Sequence, residues 1–121
     1  MVTRRIAQGE IYWIDLGAPD GAHDSEPAYS RPVVVVQNDW LNATALATTV
    51  VVPLTSNLRQ SLHKNNVLIP AFASGLRRDS VALTAELLTV NRFRLESLTG
   101  ALPISLTRDV IRGIVEVIEP V

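Results

Sequence analysis

Short runs of β-branched and aliphatic residues recur along the first ninety residues, separated by glycine, proline, asparagine and aspartate. Runs bounded in this way predict β-strands, here at residues 11–16, 33–36, 48–54, 67–70, 80–84 and 86–90. The four valines at 33–36 are uninterrupted, which is typical of a strand covered on both faces. We expect Pro32 at the first position of that strand, where its missing N–H removes no interior hydrogen bond.

The last twenty residues follow a different period. Five aliphatic residues recur there at the spacing of one helical face: Val110, Ile111, Ile114, Val115 and Ile118. Ser105 or Thr107 is the candidate N-cap, and Pro120 would end the helix. Gly113 and the β-branched residues weaken this prediction, but the charged residues fall largely off the apolar face. We therefore predict a C-terminal helix.

These elements predict a mainly β (α+β) fold, in which five to seven short strands surround one core and the terminal helix packs on it as part of a small barrel. Asp39 is expected to cap a short connecting helix that ends near Asn42 or Ala43. A chain of 121 residues has the usual size of one domain. We therefore expect a single domain over residues 1–121.

Composition limits the kinds of catalytic and metal-binding groups that the chain can contain. The chain is 47% hydrophobic and 19% charged, it has no cysteine, and it has two histidines. A thiolate nucleophile and a disulfide are thereby excluded, and a zinc site is not expected. The sequence contains no apolar run of roughly 18–20 residues that would predict a membrane span. Because no apolar segment follows the basic N-terminus, we also expect no signal peptide and a cytoplasmic location.

Charge is unevenly distributed although the formal net charge is only −1. Five acidic and no basic residues lie between positions 10 and 26, whereas six basic residues and two acidic ones lie between 59 and 94. The overall balance argues against a protein that coats nucleic acid. A local basic surface would still hold a short anionic strand. The alternative is a solvated surface of mixed charge.

Three segments carry a more specific pattern: Gly-Glu-Ile-Tyr-Trp-Ile-Asp-Leu at 9–16, Arg-Pro-Val-Val-Val-Val-Gln-Asn-Asp at 31–39, and Val-Pro-Leu-Thr-Ser-Asn at 52–57. Their order and spacing resemble the MazF/PemK family of toxin endoribonucleases. The resemblance implies an SH3-like barrel and a homodimer that cuts single-stranded RNA at short motifs without a metal or other cofactor. It also implies a MazE-like antitoxin protein that binds the dimer and blocks its RNA groove.

The resemblance assigns catalysis to Arg31 and Thr55. In metal-free cleavage the ribose 2′-OH attacks the adjacent phosphorus, leaving a 2′,3′-cyclic phosphate and a 5′-OH end. A guanidinium presents a fork of donors that suits phosphoryl oxygens, so Arg31 is expected to act on the phosphate and the leaving group. The hydroxyl of Thr55 would donate to a phosphoryl oxygen, with Ser56 as a second hydroxyl. The alternatives are a strand-edge ion pair for Arg31 and a turn at 55–57.

The remaining candidates would contact substrate: Ser25, Glu26, Tyr29, Asn38, Arg77 and Arg78. The segment 25–30 departs from the family in carrying Pro27, and Tyr29 adds an aromatic face for stacking. Asn38 is interpreted first as a capping residue together with Asp39, and substrate contact is its secondary interpretation. The alternative for the two arginines is a solvated charge pair. The group that removes the 2′-proton is left open; His23 is considered as a proton acceptor, and Glu86 as a residue that could reach the site.

The other aromatic and basic residues have structural interpretations. We expect one of Tyr12 and Trp13 in the core and the other at the surface or a dimer contact. Trp40 is expected to anchor the short helix by packing, with aromatic contact to RNA or antitoxin as the alternative. Two alternative functions remain: a gyrase-poisoning toxin of the same fold, which needs no Arg31–Thr55 pair, and a barrel that binds RNA without cutting it.

Overall fold

The computed structural model describes residues 5–15 and 30–121. Within these ranges the chain forms seven strands: β1 Glu10–Asp15, β2 Ser30–Val35, β3 Thr48–Thr55, β4 Val67–Ile69, β5 Ser80–Ala82, β6 Leu88–Asn91 and β7 Leu95–Ala101. Three α-helices accompany them: α1 Asp39–Asn42, α2 Ala71–Ser74 and α3 Ile104–Ile118. Single turns of 3₁₀ helix occupy Leu58–Leu62 and Arg92–Arg94. The predicted mainly β fold with a C-terminal helix and short connecting helices is confirmed.

The strands form one antiparallel sheet in the order β4-β5-β3-β2-β1-β7, with β6 also paired to β3. Strand β3 is the branch point of this sheet, because one of its edges pairs with two other strands. Its first half, Thr48–Val51, pairs with β6, and its end, Leu54 and Thr55, pairs with β5. The other edge pairs with β2. This branching curls the sheet into a half-barrel and brings the ends of β2 and β3 together.

Two apolar clusters cover the two faces of the central strands. Alternate residues go to opposite clusters: Val34 and Val52 join Val110 and Ile114 of α3, whereas Val33, Val35 and Val51 pack with β1, β6 and Leu95. The valine run is therefore buried on both faces, as its composition predicts. Pro32 is the third residue of β2, not its first.

Helix α3 crosses close to the segment before β4. A Cβ atom at Gly113 would lie 2.2 Å from the carbonyl oxygen of Asn65, so the glycine that weakens the helix prediction is what allows this contact. Both predicted caps are wrong: the helix follows Pro103 without a side-chain cap, and Thr107 is buried with its hydroxyl donating to the Pro103 carbonyl. Val115 and Ile118 are also exposed.

Helix α1 confirms Asn38 of the predicted capping pair: it is the N-cap, and its side chain accepts from the backbone N–H of Leu41, whereas Asp39 is the first residue of the helix. Trp40 does not anchor the helix, since it is 81% exposed. The side chain that faces inward is Asn42, because a helix of one turn buries a single position.

Candidate functional site

A cavity of about 770 Å³ opens where β2 and β3 meet the segment between β4 and β5. It brings together five of the residues predicted to act on substrate: Arg31, Thr55, Ser56, Arg77 and Arg78. These residues are up to 47 positions apart in sequence (78 minus 31). The fold therefore assembles one site from three separate segments.

Arg31 extends from a strand that is paired on both edges. Its backbone lies opposite Ile14 of β1, and its Nη2 donates to the carbonyl oxygen of Leu54 in β3 at 3.2 Å. The β2–β3 register pairs Val33 with Pro53, and Arg31 and Thr55, each two residues further along its strand, both line the cavity. A half-buried guanidinium is thus held beside the threonine by the sheet itself.

Thr55 is the last residue of β3, where the chain leaves the sheet. Its Oγ1 accepts from the backbone N–H of Asn57 at 3.2 Å, and Asn57 in turn caps the 3₁₀ turn that follows. A hydroxyl that accepts one bond still has its own proton to donate. The turn at 55–57 is therefore compatible with a role in chemistry, because Thr55 forms the turn and also lines the cavity.

Arg77 and Arg78 stand on a connection that is docked firmly on β7. Gly75 ends α2 with a φ of 78°, and a Cβ atom there would lie 2.1 Å from the carbonyl oxygen of Thr99. The Thr99 hydroxyl donates to the buried Ser74 carbonyl at 3.1 Å. Further along, Asp79 accepts from the Ala71 N–H at 2.9 Å. The backbone that carries the two exposed arginines is consequently anchored, and both residues line this side of the cavity.

The described lining of this cavity carries charge of one sign. Among the lining residues that the structure describes, three are arginines and none is acidic, although the chain as a whole has a net charge of −1. Guanidinium and hydroxyl donors face the same space as several apolar side chains. This combination suits an anionic ligand that also has apolar faces.

Other predicted residues lie elsewhere. Asn38 caps α1 and does not line this cavity. Glu86 is exposed outside it. Ser25, Glu26 and Tyr29, together with His23, fall outside the described residues.

The basic residues between 59 and 94 do not form one surface. Arg92 is only 1% exposed, and its Nη1 donates to the Asn42 carbonyl, while Arg94 donates to the Asp15 carbonyl. Only Arg77 and Arg78 of this group line the cavity. Most of these basic residues therefore fit the mixed-surface alternative or have a structural role, and the local basic surface is confined to the cavity.

The sequence interpretation did not connect Trp13 or Thr99 with the site, yet both line the cavity. Tyr12 takes the core position and Trp13 is 37% exposed, which confirms that one aromatic is internal and the other at the surface. Thr99 gave no signal because its strand was not predicted. Gly75 and Gly100, which approach each other across the α2–β7 contact, were the available sequence clue.

Two absences concern the described residues only. No group of three or more histidine, cysteine, aspartate or glutamate side chains in residues 5–15 and 30–121 is arranged to hold a metal ion. Among the helices in the same ranges, none has the length and apolar character needed to cross a membrane.

Comparison with known proteins identifies relatives of this chain. The sequence profile of PemK-like, MazF-like toxins of type II toxin–antitoxin systems matches residues 7–118. Endoribonuclease MazF6 of Mycobacterium tuberculosis is 41% identical over 114 residues, which cover 94% of this chain and 97% of that protein. Endoribonuclease EndoA of Bacillus subtilis is 33% identical over 90 residues, covering 74% of each.

Solved structures share the fold at lower identity. An endoribonuclease in complex with its cognate antitoxin from a mycobacterial species aligns with a TM-score of 0.75 at 18% identity, covering 96% of this chain and 98% of that chain. One crystal form of MazE–MazF from Deinococcus radiodurans gives a TM-score of 0.74 at 18% identity, covering 93% and 95%. The predicted barrel is therefore a known toxin fold.

Proposed function

The chain belongs to the family of PemK-like, MazF-like toxins of type II toxin–antitoxin systems, and we propose that it is a toxin endoribonuclease that cuts single-stranded RNA at short sequence motifs. The observation that carries the proposal is the Arg31–Thr55 pair at the junction of β2 and β3, inside a cavity lined by three arginines. Relatives at 41% and 33% identity are named endoribonucleases, which favours this function over a gyrase poison of the same fold.

The reaction begins when the 2′-oxygen of a ribose attacks the adjacent phosphorus and loses its proton. The P–O5′ bond breaks, the 5′-oxygen gains a proton, and the products are a 2′,3′-cyclic phosphate and a 5′-OH end. Arg31 donates to the phosphoryl oxygens and assists departure of the 5′-oxygen, since a permanently charged guanidinium is suited to charge stabilisation and not to the base step. Thr55 donates its hydroxyl proton to a phosphoryl oxygen.

Substrate is held by the remaining donors of the cavity. Arg77 and Arg78 contact neighbouring phosphates, and Ser56 offers a second hydroxyl next to Thr55. Ser25, Glu26 and Tyr29 belong to a segment proposed to contact flanking nucleotides, which makes it a determinant of the cleaved motif. The proposed reaction uses no metal: guanidinium and hydroxyl donors of the described lining stabilise the developing charge.

The toxin acts as a homodimer in the cytoplasm and is inhibited by a cognate MazE-like antitoxin. Relatives of the same fold have been solved in complexes with such partners. A polyanionic substrate and an inhibitor that competes with it require the same cationic surface, so the antitoxin is expected to present acidic residues to the cavity. The match to the family over residues 7–118 supports one domain for the chain.

The test is incubation of purified protein with a long single-stranded RNA in EDTA, followed by mapping of the ends. We expect 5′-OH and 2′,3′-cyclic phosphate ends at one recurring motif. Arg31→Ala, purified identically, controls for contaminating ribonuclease and should leave the RNA intact. Cleavage that requires added divalent metal would contradict the metal-free mechanism. RNA binding without any cleavage would instead assign the chain to non-catalytic barrels.

A further inference from the structure

Trp13 has an unusual position for the larger of two adjacent aromatic residues. Its strand neighbours Tyr12 and Ile14 are buried, whereas the indole is 37% exposed and lines the cavity beside Arg31. Burial of an aromatic side chain of this size is worth more than burial of almost any other residue. A tryptophan left half open at a cationic cavity therefore has apolar area available to a ligand.

The residues around the indole form an apolar floor. Trp13 lies directly opposite Pro32 in the β1–β2 register, and directly opposed side chains share a face of the sheet. Leu54 of β3 follows Pro53, which pairs with Val33 next to Pro32. All three residues line the same cavity, although Leu54 itself is buried in the core. They come from three neighbouring strands.

Cationic donors surround this floor. Arg31 lies at its β2 end, and Arg77 and Arg78 form the wall across the cavity. A planar aromatic face with guanidinium groups at its edges is the arrangement by which proteins hold single-stranded nucleic acid: bases stack on the ring and phosphates meet the cations. A peptide ligand would find no acidic partner for basic side chains among the described lining residues.

We propose that Trp13 is a base-stacking platform that holds the nucleotide next to the scissile phosphate. This inference rests on the proposed function, because it takes single-stranded RNA as the ligand of the cavity. Stacking positions the ribose over Arg31 and Thr55 without reading hydrogen-bond edges, since every base offers a π-face. Trp13 therefore determines how tightly RNA binds, while the sequence of the cleaved motif is set by other residues.

The chain contains a matched control, since its other tryptophan, Trp40, lies on α1 outside the cavity. Trp40→Phe leaves Trp13 as the sole indole, and Trp13→Phe leaves Trp40. Each variant is titrated with a mixed-sequence 12-nucleotide strand in which every ribose is 2′-deoxy, which removes the nucleophile. Binding is followed independently by the anisotropy of a dye on the strand.

We expect saturating strand to quench the fluorescence of Trp13 in Trp40→Phe and to leave that of Trp40 in Trp13→Phe nearly unchanged. Binding without quenching of Trp13, or failure of the strand to bind, would overturn the proposal. The readout is independent of cleavage. If Trp13 is quenched but the protein cuts no RNA, base stacking on Trp13 is supported and the proposed nuclease activity is contradicted. If the protein cuts RNA but Trp13 is not quenched, the nuclease activity is supported and base stacking is contradicted.

Replacement of the ring separates stacking from simple apolar contact. Trp13→Leu keeps an apolar side chain without a π-face and should weaken binding of the strand by about 5- to 150-fold. Trp13→Phe should lose less, because a smaller ring still stacks. On cleavable RNA the change should appear in KM more than in kcat, with the motif unaltered. Equal affinity of the leucine and wild-type proteins would overturn the proposal.

Discussion

Two cavities of similar size lie in different parts of this sheet, and they use arginine in opposite ways. The cavity at Arg31 is lined by three arginines and, among the described residues, by no acid. A second cavity of about 660 Å³, near α1 and the start of β1, is lined by Arg5 and Arg92 together with Glu10 and Asp39. Over the described lining residues, the formal charges of the second cavity cancel, whereas those of the first are all positive.

The acids of the second cavity are used within the fold. Glu10 accepts from the Ala7 N–H at 2.6 Å and from the Tyr12 hydroxyl at 2.9 Å. Asp39 accepts from the Gln8 N–H at 2.7 Å and from the Asn42 side chain. These bonds tie the N-terminal segment to α1 and β1. A cavity that contains arginines is therefore a candidate site only where the donors face solvent and the neighbouring charges leave a net field.

Substitution of two threonines of β3, one at each cavity, tests most strongly whether the two cavities have different roles. Thr55→Val should lower the cleavage rate about 100- to 1,000-fold, the cost of removing one donor to a developing oxyanion, with little loss of stability. Thr55→Ser should retain most activity. Thr49 is buried and donates to Asn42 at the second cavity, so Thr49→Val should cost about 1 kcal/mol of unfolding free energy and leave the rate unchanged.

Single-turnover kinetics on a short RNA and urea unfolding of the same preparations measure both quantities. Equal loss of rate in the two valine variants would show that the two cavities do not differ in the way described.

The wall that carries Arg77 and Arg78 depends on close contact at Gly75. Gly75→Ala should lower the free energy of unfolding by more than about 2 kcal/mol, because the position needs a positive φ and its Cβ would lie 2.1 Å from the Thr99 carbonyl. Gly75→Asn is the informative partner, since asparagine tolerates positive φ but also carries a Cβ. Urea unfolding should find both variants destabilised; a normal asparagine variant would show that backbone conformation alone matters there.

Smaller effects are expected from the arginines of that wall. Arg77→Ala and Arg78→Ala should each weaken binding of single-stranded RNA by about 3- to 10-fold and reduce the slope of log K against log salt concentration by about 0.7 per lost phosphate contact. Arg108→Ala, an exposed arginine of α3 outside the cavity, is the control and should leave the slope unaltered. Slopes that match the control in both variants would remove Arg77 and Arg78 from the substrate path.

The strands were predictable where their residues are buried. The valine run of β2 and the β-branched residues of β3 are apolar because both faces are covered, so composition alone reveals them. Strand β7 has one buried residue, Leu95, because its paired edge meets only β1 at the end of the sheet. Its Glu-Ser-Leu-Thr-Gly sequence lacks the pattern that marks a strand, and the prediction missed it.

The residues of the candidate site also fall into a predictable group and an unpredictable group. Arg31, Thr55 and Ser56 come from contiguous motifs, and Arg77 and Arg78 from a local charge pair, so their membership could be anticipated from short segments. Trp13 and the α2–β7 contact depend on which strands become neighbours, and that follows from the branching of β3. Trp40 illustrates the opposite error, since an aromatic residue on a helix of one turn has no second turn against which to pack.

The central claim, that Arg31 acts on the phosphate and on the leaving 5′-oxygen, is tested most directly with two RNA substrates that differ in one atom. One contains the natural linkage at the cleaved motif, and the other has sulfur in place of the bridging 5′-oxygen, which leaves without needing a proton. Arg31→Ala should cut the natural RNA about 100-fold or more slowly than wild type. It should recover only part of that loss on the sulfur substrate, because the contact with the phosphoryl oxygens is still missing. Arg108→Ala should cut both substrates at the wild-type rate. A natural-linkage rate within threefold of wild type in Arg31→Ala would contradict the account.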